Sequence, residues 1–213
     1  AKEMVDKLGD AITFYKLGLE LFMAGGYIEM LNWLAAREKK VFVDLKFFDV
    51  PQTVGSAVRQ LKDKGATFAT VHGNDEILRY AVKEKGDLKI LAVTVLTSLD
   101  KKDLGDLGFQ CDVEELVLSR ARRALDLGCD GVISSGLEAQ ALRTHLGDNF
   151  LVVSPGIRPL DNTQDDQKRT VDVEEAFFNG ADYIVVGRPI KLADDPRRVA
   201  CNMQDRISQV FGQ

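Results

Sequence analysis

The chain has 213 residues, of which 45% are hydrophobic and 29% charged, and 28 Lys and Arg against 33 Asp and Glu leave a net charge of −5. This is the length of one domain, residues 1–213, with room for a substantial core. Its acidic balance excludes nucleic acid and an anionic membrane surface as partners attracted by overall charge.

Short apolar strands alternate with amphipathic stretches from end to end. A helix is predicted near Lys2–Leu8, then a strand near Ala11–Leu17 and a helix near Tyr27–Lys39. Strand–helix pairs follow at Val41–Lys46 and Thr53–Lys64, Phe68–His72 and Glu76–Lys85, and Ile90–Thr94 and Val113–Leu127. The last pairs are Gly131–Ile133 with Leu137–Leu146, Phe150–Ser154 with Val173–Asn179, and Tyr183–Val186 with Pro196–Phe211. Gly65, Gly86, Gly128 and Gly180 sit where left-handed helix ends are expected. No linker or low-complexity tract interrupts the pattern. Such β-α alternation predicts a parallel sheet covered by helices, either a (β/α)8 barrel or a doubly wound sheet.

No apolar run approaches a membrane span, and Ala1-Lys2-Glu3-Met4 does not read as a signal peptide. Cys111, Cys129 and Cys201 are odd in number and lack C-x-x-C spacing, so they read as reduced thiols of a cytoplasmic protein. No metal cluster is legible. His72 reads as a core or strand-end hydrogen-bonding residue rather than a catalyst, His145 as surface, and Gly25-Gly26 as a turn rather than a dinucleotide fingerprint.

Polar residues gather at the carboxyl ends of the predicted strands: Lys16, Asp44, Lys46, His72, Thr94, Ser134, Ser154 and Gly187-Arg188. A (β/α) barrel builds its active site at that end of nearly every strand, whereas a doubly wound sheet concentrates it near a switch point. The even spread favours the barrel. Within it, Asp44-Leu45-Lys46-Phe47-Phe48-Asp49-Val50-Pro51-Gln52-Thr53 ends the apolar run Val41-Phe42-Val43, and alternation places Asp44 and Lys46 on one face. Pro51 then stops the strand and suits a first helical position. With Lys16 at the neighbouring strand end, the expectation is an alternating Lys-Asp-Lys-Asp array in which each charge keeps its neighbours ionised. A lone lysine at such a strand end would simply snorkel. Val186-Gly187-Arg188-Pro189 offers a glycine for close backbone approach and a forked cation, which suits a phosphate. The polar loop from Ser154 to Thr170 is longer than most such connections and reads as a lid that excludes water.

The motif Asp44-x-Lys46-x-x-Asp49-Val50-Pro51-x-Thr53 resembles the signature of the orotidine 5'-monophosphate decarboxylase family. Phe14-Tyr15-Lys16-Leu17-Gly18, Leu96-Thr97-Ser98, Pro155-Gly156-Ile157-Arg158-Pro159, Asp166-Gln167-Lys168-Arg169 and Val186-Gly187-Arg188-Pro189 are similar to the family's other motifs, in its order. The resemblance implies an α/β (β/α)8 barrel that turns orotidine 5'-monophosphate into UMP and CO2 without metal or organic cofactor. It implies Lys46, Asp44, Asp49 and Lys16 as catalytic residues, and Lys16 as a ribose contact. Thr97 and Ser98 would meet the pyrimidine, Arg158, Gly187 and Arg188 the phosphate, and Gln167 both. Asp49 and Thr53 would reach the site of a partner subunit in a homodimer. Two departures stand out: the family's first strand, with an acid that holds the ribose, is missing here, and Val50 and Gln52 replace frequent Ile and Asn. The missing strand implies either a trimmed chain or a ring closed differently. Two alternatives remain: a sugar-phosphate decarboxylase or synthase of the same superfamily, which would need magnesium held where Lys16 stands, and a UMP-binding barrel with weakened catalysis.

Overall fold

The computed structural model describes residues 1–157 and 169–212. Its contacts divide the chain into two compact units, Ala1–Val93 with Ala124–Gly131, and Thr94–Arg123 with the chain from Val132 onward.

The first unit opens with α1 (Lys2–Leu8) and a single 3-10 turn, Gly9–Ala11, before β1 (Phe14–Gly18). The turn takes up Ala11, and Ile12 and Thr13 stay outside the strand, so β1 starts three positions late. A short helix that the periodicity did not separate, α2 (Leu19–Ala24), leads through Gly25-Gly26 to α3 (Tyr27–Ala35). Then come β2 (Lys40–Phe47), α4 (Pro51–Leu61), β3 (Phe68–Val71), α5 (Asp75–Glu84) and β4 (Lys89–Val93). Pro51 occupies the first turn of α4, as its fixed φ and missing N–H favour. Asn74 caps α5, its side chain accepting from the Ile77 N–H at 3.2 Å. The four strands run parallel in chain order.

Parallel strands covered on both faces are apolar throughout, and Val41, Val43, Ala69, Val71, Ile90 and Leu91 are fully buried. Phe68 knits three strands, with Phe14 and Phe42 edge-on to it at 5.0 and 6.0 Å between ring centroids. Gly55 lets α4 lie directly on α5, since a Cβ there would stand 3.3 Å from the Tyr80 carbonyl oxygen. Asp130 ties the end of α5 to the start of β4 by accepting from Lys85 Nζ at 2.6 Å and the Ile90 N–H at 2.8 Å.

The second unit contains α6 (Lys101–Asp106), most of α7 (Val113–Asp126), β5 (Gly131–Ile133), α8 (Ala139–Leu146), β6 (Leu151–Ser154), α9 (Val173–Phe178), β7 (Tyr183–Ile184), α10 (Arg188–Lys191) and α11 (Pro196–Phe211). Its strands follow the order β5-β6-β7, with β6 and β7 parallel in the register Val153↔Tyr183. Here α6 and α10 are short helices within stretches to which the sequence assigns no element of its own. Ile157, Val171, Val173, Ala176, Ala181 and Met203 form the core between α9 and α11. Arg206 of α11 clamps it from outside, meeting Asp172 at 2.6 and 2.7 Å and also pairing with Glu174. The Arg206 hydrogen bond, followed by Asp172, pulls the Glu174 carboxyl down to about 2.

Candidate active site

Three of the four expected charges meet in the first unit. Lys16 lies in β1 and Asp44 in β2, where the register puts Gly18 opposite Asp44. Because Gly18 has no side chain, the Lys16 stem can fold past it, and a Cβ there would stand 3.3 Å from Nζ. Lys16 Nζ reaches Asp44 Oδ2 at 3.1 Å, and Lys46 Nζ reaches Oδ1 at 2.8 Å. The Asp44 side chain is 13% exposed and the two lysines 33% and 34%, so the carboxylate lies beneath a partly open pair of ammonium groups.

The electrostatics follow from this geometry. Burial pushes the Asp44 carboxyl up, but Lys16 and Lys46 outweigh it and hold it below its ordinary value of 3.8. Full burial raises a carboxylate by at most ~3–5 units, while each adjacent cation lowers it by ~1–3. With burial incomplete and two cations in contact, the cations win. Asp44 therefore stays ionised throughout the neutral range. At the base of β1 end, the buried Tyr27 hydroxyl donates to the Leu17 carbonyl at 2.9 Å. Burial, then the Asp44 charge, raises that phenol, which keeps it a donor.

Strict alternation does not carry β2 through the motif. Its pairing with β3 slips between Val43 and Phe47, and Lys46 has φ of 48°. A non-glycine residue in that region costs ~1–3 kcal/mol and persists only where its surroundings hold it. The holding group is Thr70 of β3. Its Oγ1 accepts the Lys46 N–H at 2.9 Å and donates to Asp44 Oδ1 at 3.0 Å, with the residue fully buried. One hydroxyl thus fixes both the bulged backbone of Lys46 and the carboxylate that its ammonium meets. Sequence reasoning passed over Thr70; its place on the apolar strand just before His72 was the available signal.

Asp49 stands apart from the three. It is exposed, and its carboxylate accepts from its neighbour's N–H, Val50, at 2.7 Å. Thr53 is exposed on the first turn of α4. The His72 ring stacks edge-on with Phe48 at 5.2 Å, and its backbone N–H donates to the Phe47 carbonyl at 3.0 Å.

In the second unit Thr97 and Ser98 are the central residues of a turn closed by the Leu99 N–H on the Leu96 carbonyl at 2.9 Å. Thr97 is buried and Ser98 half-buried. The turn runs into α6, which starts on a reciprocal cap between Asp100 and Asp103. Gly187 and Arg188 are exposed where β7 gives way to α10, and Gly187 has open space where a side chain would stand. Arg158 and Gln167 lie outside the described residues. Among the described residues no helix is long and apolar enough to cross a membrane.

The profile of the Orotidine 5'-phosphate decarboxylase / HUMPS family matches residues 1–203. The chain belongs to that family. It is 64% identical over 212 residues to the orotidine 5'-phosphate decarboxylase of Methylococcus capsulatus, covering 99% of this chain and 88% of the relative. It is 47% identical to that of Stenotrophomonas maltophilia, covering 99% and 88%. Among solved structures, the orotidine 5'-phosphate decarboxylase of Lactobacillus acidophilus matches with a TM-score of 0.83 at 36% identity, covering 96% of this chain and 91% of that one. The fold class of this family member is thus α/β, with parallel strands and intervening helices of the kind the decarboxylase barrels use.

Proposed function

We propose that this chain is an orotidine 5'-phosphate decarboxylase, converting orotidine 5'-monophosphate to UMP and CO2 in de novo pyrimidine synthesis. The name of relatives that match nearly its whole length supports the reaction. The observation that carries the mechanism is the Asp44 carboxylate held between Lys16 and Lys46. In the proposed step the bond from C6 to the substrate carboxylate breaks, CO2 leaves, and the electron pair stays on C6. Lys46 Nζ then delivers a proton to C6 and regains one from solvent. Asp44 faces the departing carboxylate and disfavours it more in the ground state than after charge has moved to C6. The fixed ammonium of Lys46 stabilises that carbanion without reorganising, which is usually the larger contribution. No metal or organic cofactor takes part.

The remaining roles are positional. Lys16 holds the ribose, Thr97 and Ser98 the pyrimidine edge, and Gly187, Arg188 and Arg158 the phosphate, with Gln167 bridging phosphate and base. Asp49 and Thr53 serve the site of a second subunit in a cytoplasmic homodimer. Two features support this: Asp49 lies outside its own chain's charge cluster, and Phe48 and Val50 beside it are 68% and 63% exposed. The sugar-phosphate reading needs a cation site where Lys16 already places its ammonium against Asp44. Loss of ultraviolet absorbance of orotidine 5'-monophosphate, followed with EDTA present, tests the proposal. Turnover is expected. Failure to turn over, with magnesium-dependent activity on a sugar phosphate, would overturn it.

A further inference from the structure

Three consecutive backbone carbonyls leading into the Thr97 turn each accept from an arginine. Arg120 Nη1 donates to Thr94 O at 2.5 Å, its guanidinium lying 5.1 Å from the Phe109 ring centroid. Arg169 Nη2 donates to Val95 O at 3.1 Å and to Leu96 O at 2.9 Å. The Leu96 carbonyl is also the one that closes the turn displaying Thr97 and Ser98.

Arg169 is itself held rigidly. It is 9% exposed, and its Nη1 pairs with Glu138, which is 7% exposed. The second oxygen of Glu138 accepts from Ser134 Oγ at 3.3 Å, and Ser135 Oγ donates to the Arg169 carbonyl at 3.3 Å. A buried ion pair is weak support for stability, because apolar residues of similar volume often do as well or better. What an arginine adds is a planar fork that fixes several acceptors in one geometry, which a lysine cannot copy. One prong, Nη2, meets the Val95 carbonyl and the Leu96 carbonyl that opens the turn, while the other, Nη1, meets Glu138.

We propose that Arg169, oriented by Glu138 at Nη1, is a positioning residue for substrate recognition: its Nη2 on the Val95 and Leu96 carbonyls sets the turn that presents Thr97 to the pyrimidine. This rests on the reading of Thr97 as a base contact. The test is a double-mutant cycle in kcat/KM for orotidine 5'-monophosphate, using Arg169→Lys, Thr97→Ala and their combination. Arg169→Lys keeps the charge beside Glu138 and loses the fork. It is expected to cost about tenfold in the parent and less than about twofold when Thr97 is already Ala, because coupled residues are not additive. Equal losses in both backgrounds, or no loss in the parent, would overturn the positioning role, since a purely structural arginine costs the same in each. Thr97→Ala with parental kcat/KM would overturn the base contact itself and the positioning claim with it. If Arg169→Lys does not fold, as judged by circular dichroism, Glu138→Gln replaces it in the same cycle with the same criteria.

Discussion

Lys46 combines a left-handed backbone, a bulged strand and a contact to a buried carboxylate, so its side chain is aimed by more than strand alternation. Replacing it with Ala is expected to remove nearly all turnover while UMP binding, measured by calorimetry, stays within about an order of magnitude. Near-normal turnover would take the proton-donor role away from it. Asp44 makes a prediction about pH. Its carboxyl is held below 3.8 in the folded chain, so the stability it contributes is complete above that value and is lost as pH falls through the lower folded value. Denaturant titrations of the parent and Asp44→Asn should therefore differ most above pH 3.8 and converge below it. A gap that widens on acidification would contradict the charge arrangement. The buried Cys129 thiol behaves in the opposite sense, since burial, only partly offset by Lys85, raises it to about 12 and leaves it an inert core group at neutral pH.

Among the elements, β3 has the least conspicuous role for its effect, because one of its four residues organises the neighbouring strand. Thr70→Val keeps the shape and deletes the hydroxyl, which leaves the Lys46 N–H and an Asp44 oxygen short of a partner. The expected cost is ~1–3 kcal/mol in unfolding free energy, accompanied by a fall in kcat larger than any rise in KM. Unchanged kcat would mean that Lys46 is aimed by its own chain alone. The strands and long helices were legible in the sequence because burial writes an apolar run into each covered strand and a period of 3.6 into each helix, and Pro51 and Gly86 mark boundaries by backbone chemistry. The charged members of the cluster were legible too, since charge at the end of an apolar strand has few structural explanations. Thr70 and the contacts of Arg169 were not. Their partners lie 26 and 74 positions away, and a hydrogen bond across such a gap leaves no periodic trace. The bulge at Lys46 was hidden for a related reason, because alternation would have given the same facing without it.

For the molecule as a whole, the exposed apolar side chains of the first unit concentrate near the motif: Leu19, Phe22 and Met23 on α2, and Phe48 and Val50 around Asp49. In the proposed homodimer a second copy covers them, and each Asp49 serves its neighbour's reaction centre. Mixed Asp44→Ala and Asp49→Ala subunits test the sharing directly. A heterodimer of the two variants carries one intact site and one doubly damaged site, so activity should return to about half the parental value per heterodimer if exchange is complete. No recovery, with exchange verified by mass spectrometry, would assign Asp49 to its own chain.

The three paired charges and the threonine that sets them all fall between residues 16 and 70, whereas the turn at Thr97 and the arginine at 188 come after residue 94. On the proposed roles, the linear chain therefore places the proton donor and the ribose contact Lys16 ahead of the groups that would meet the pyrimidine and the phosphate. A graft that exchanges Thr94–Arg123 and the chain from Val132 onward for the matching stretches of a relative would replace the proposed base and phosphate contacts while leaving the charged cluster as it was. In this molecule the two sets of contacts are divisible, but at three points in the gene, because Ala124–Gly131 belongs to the first unit.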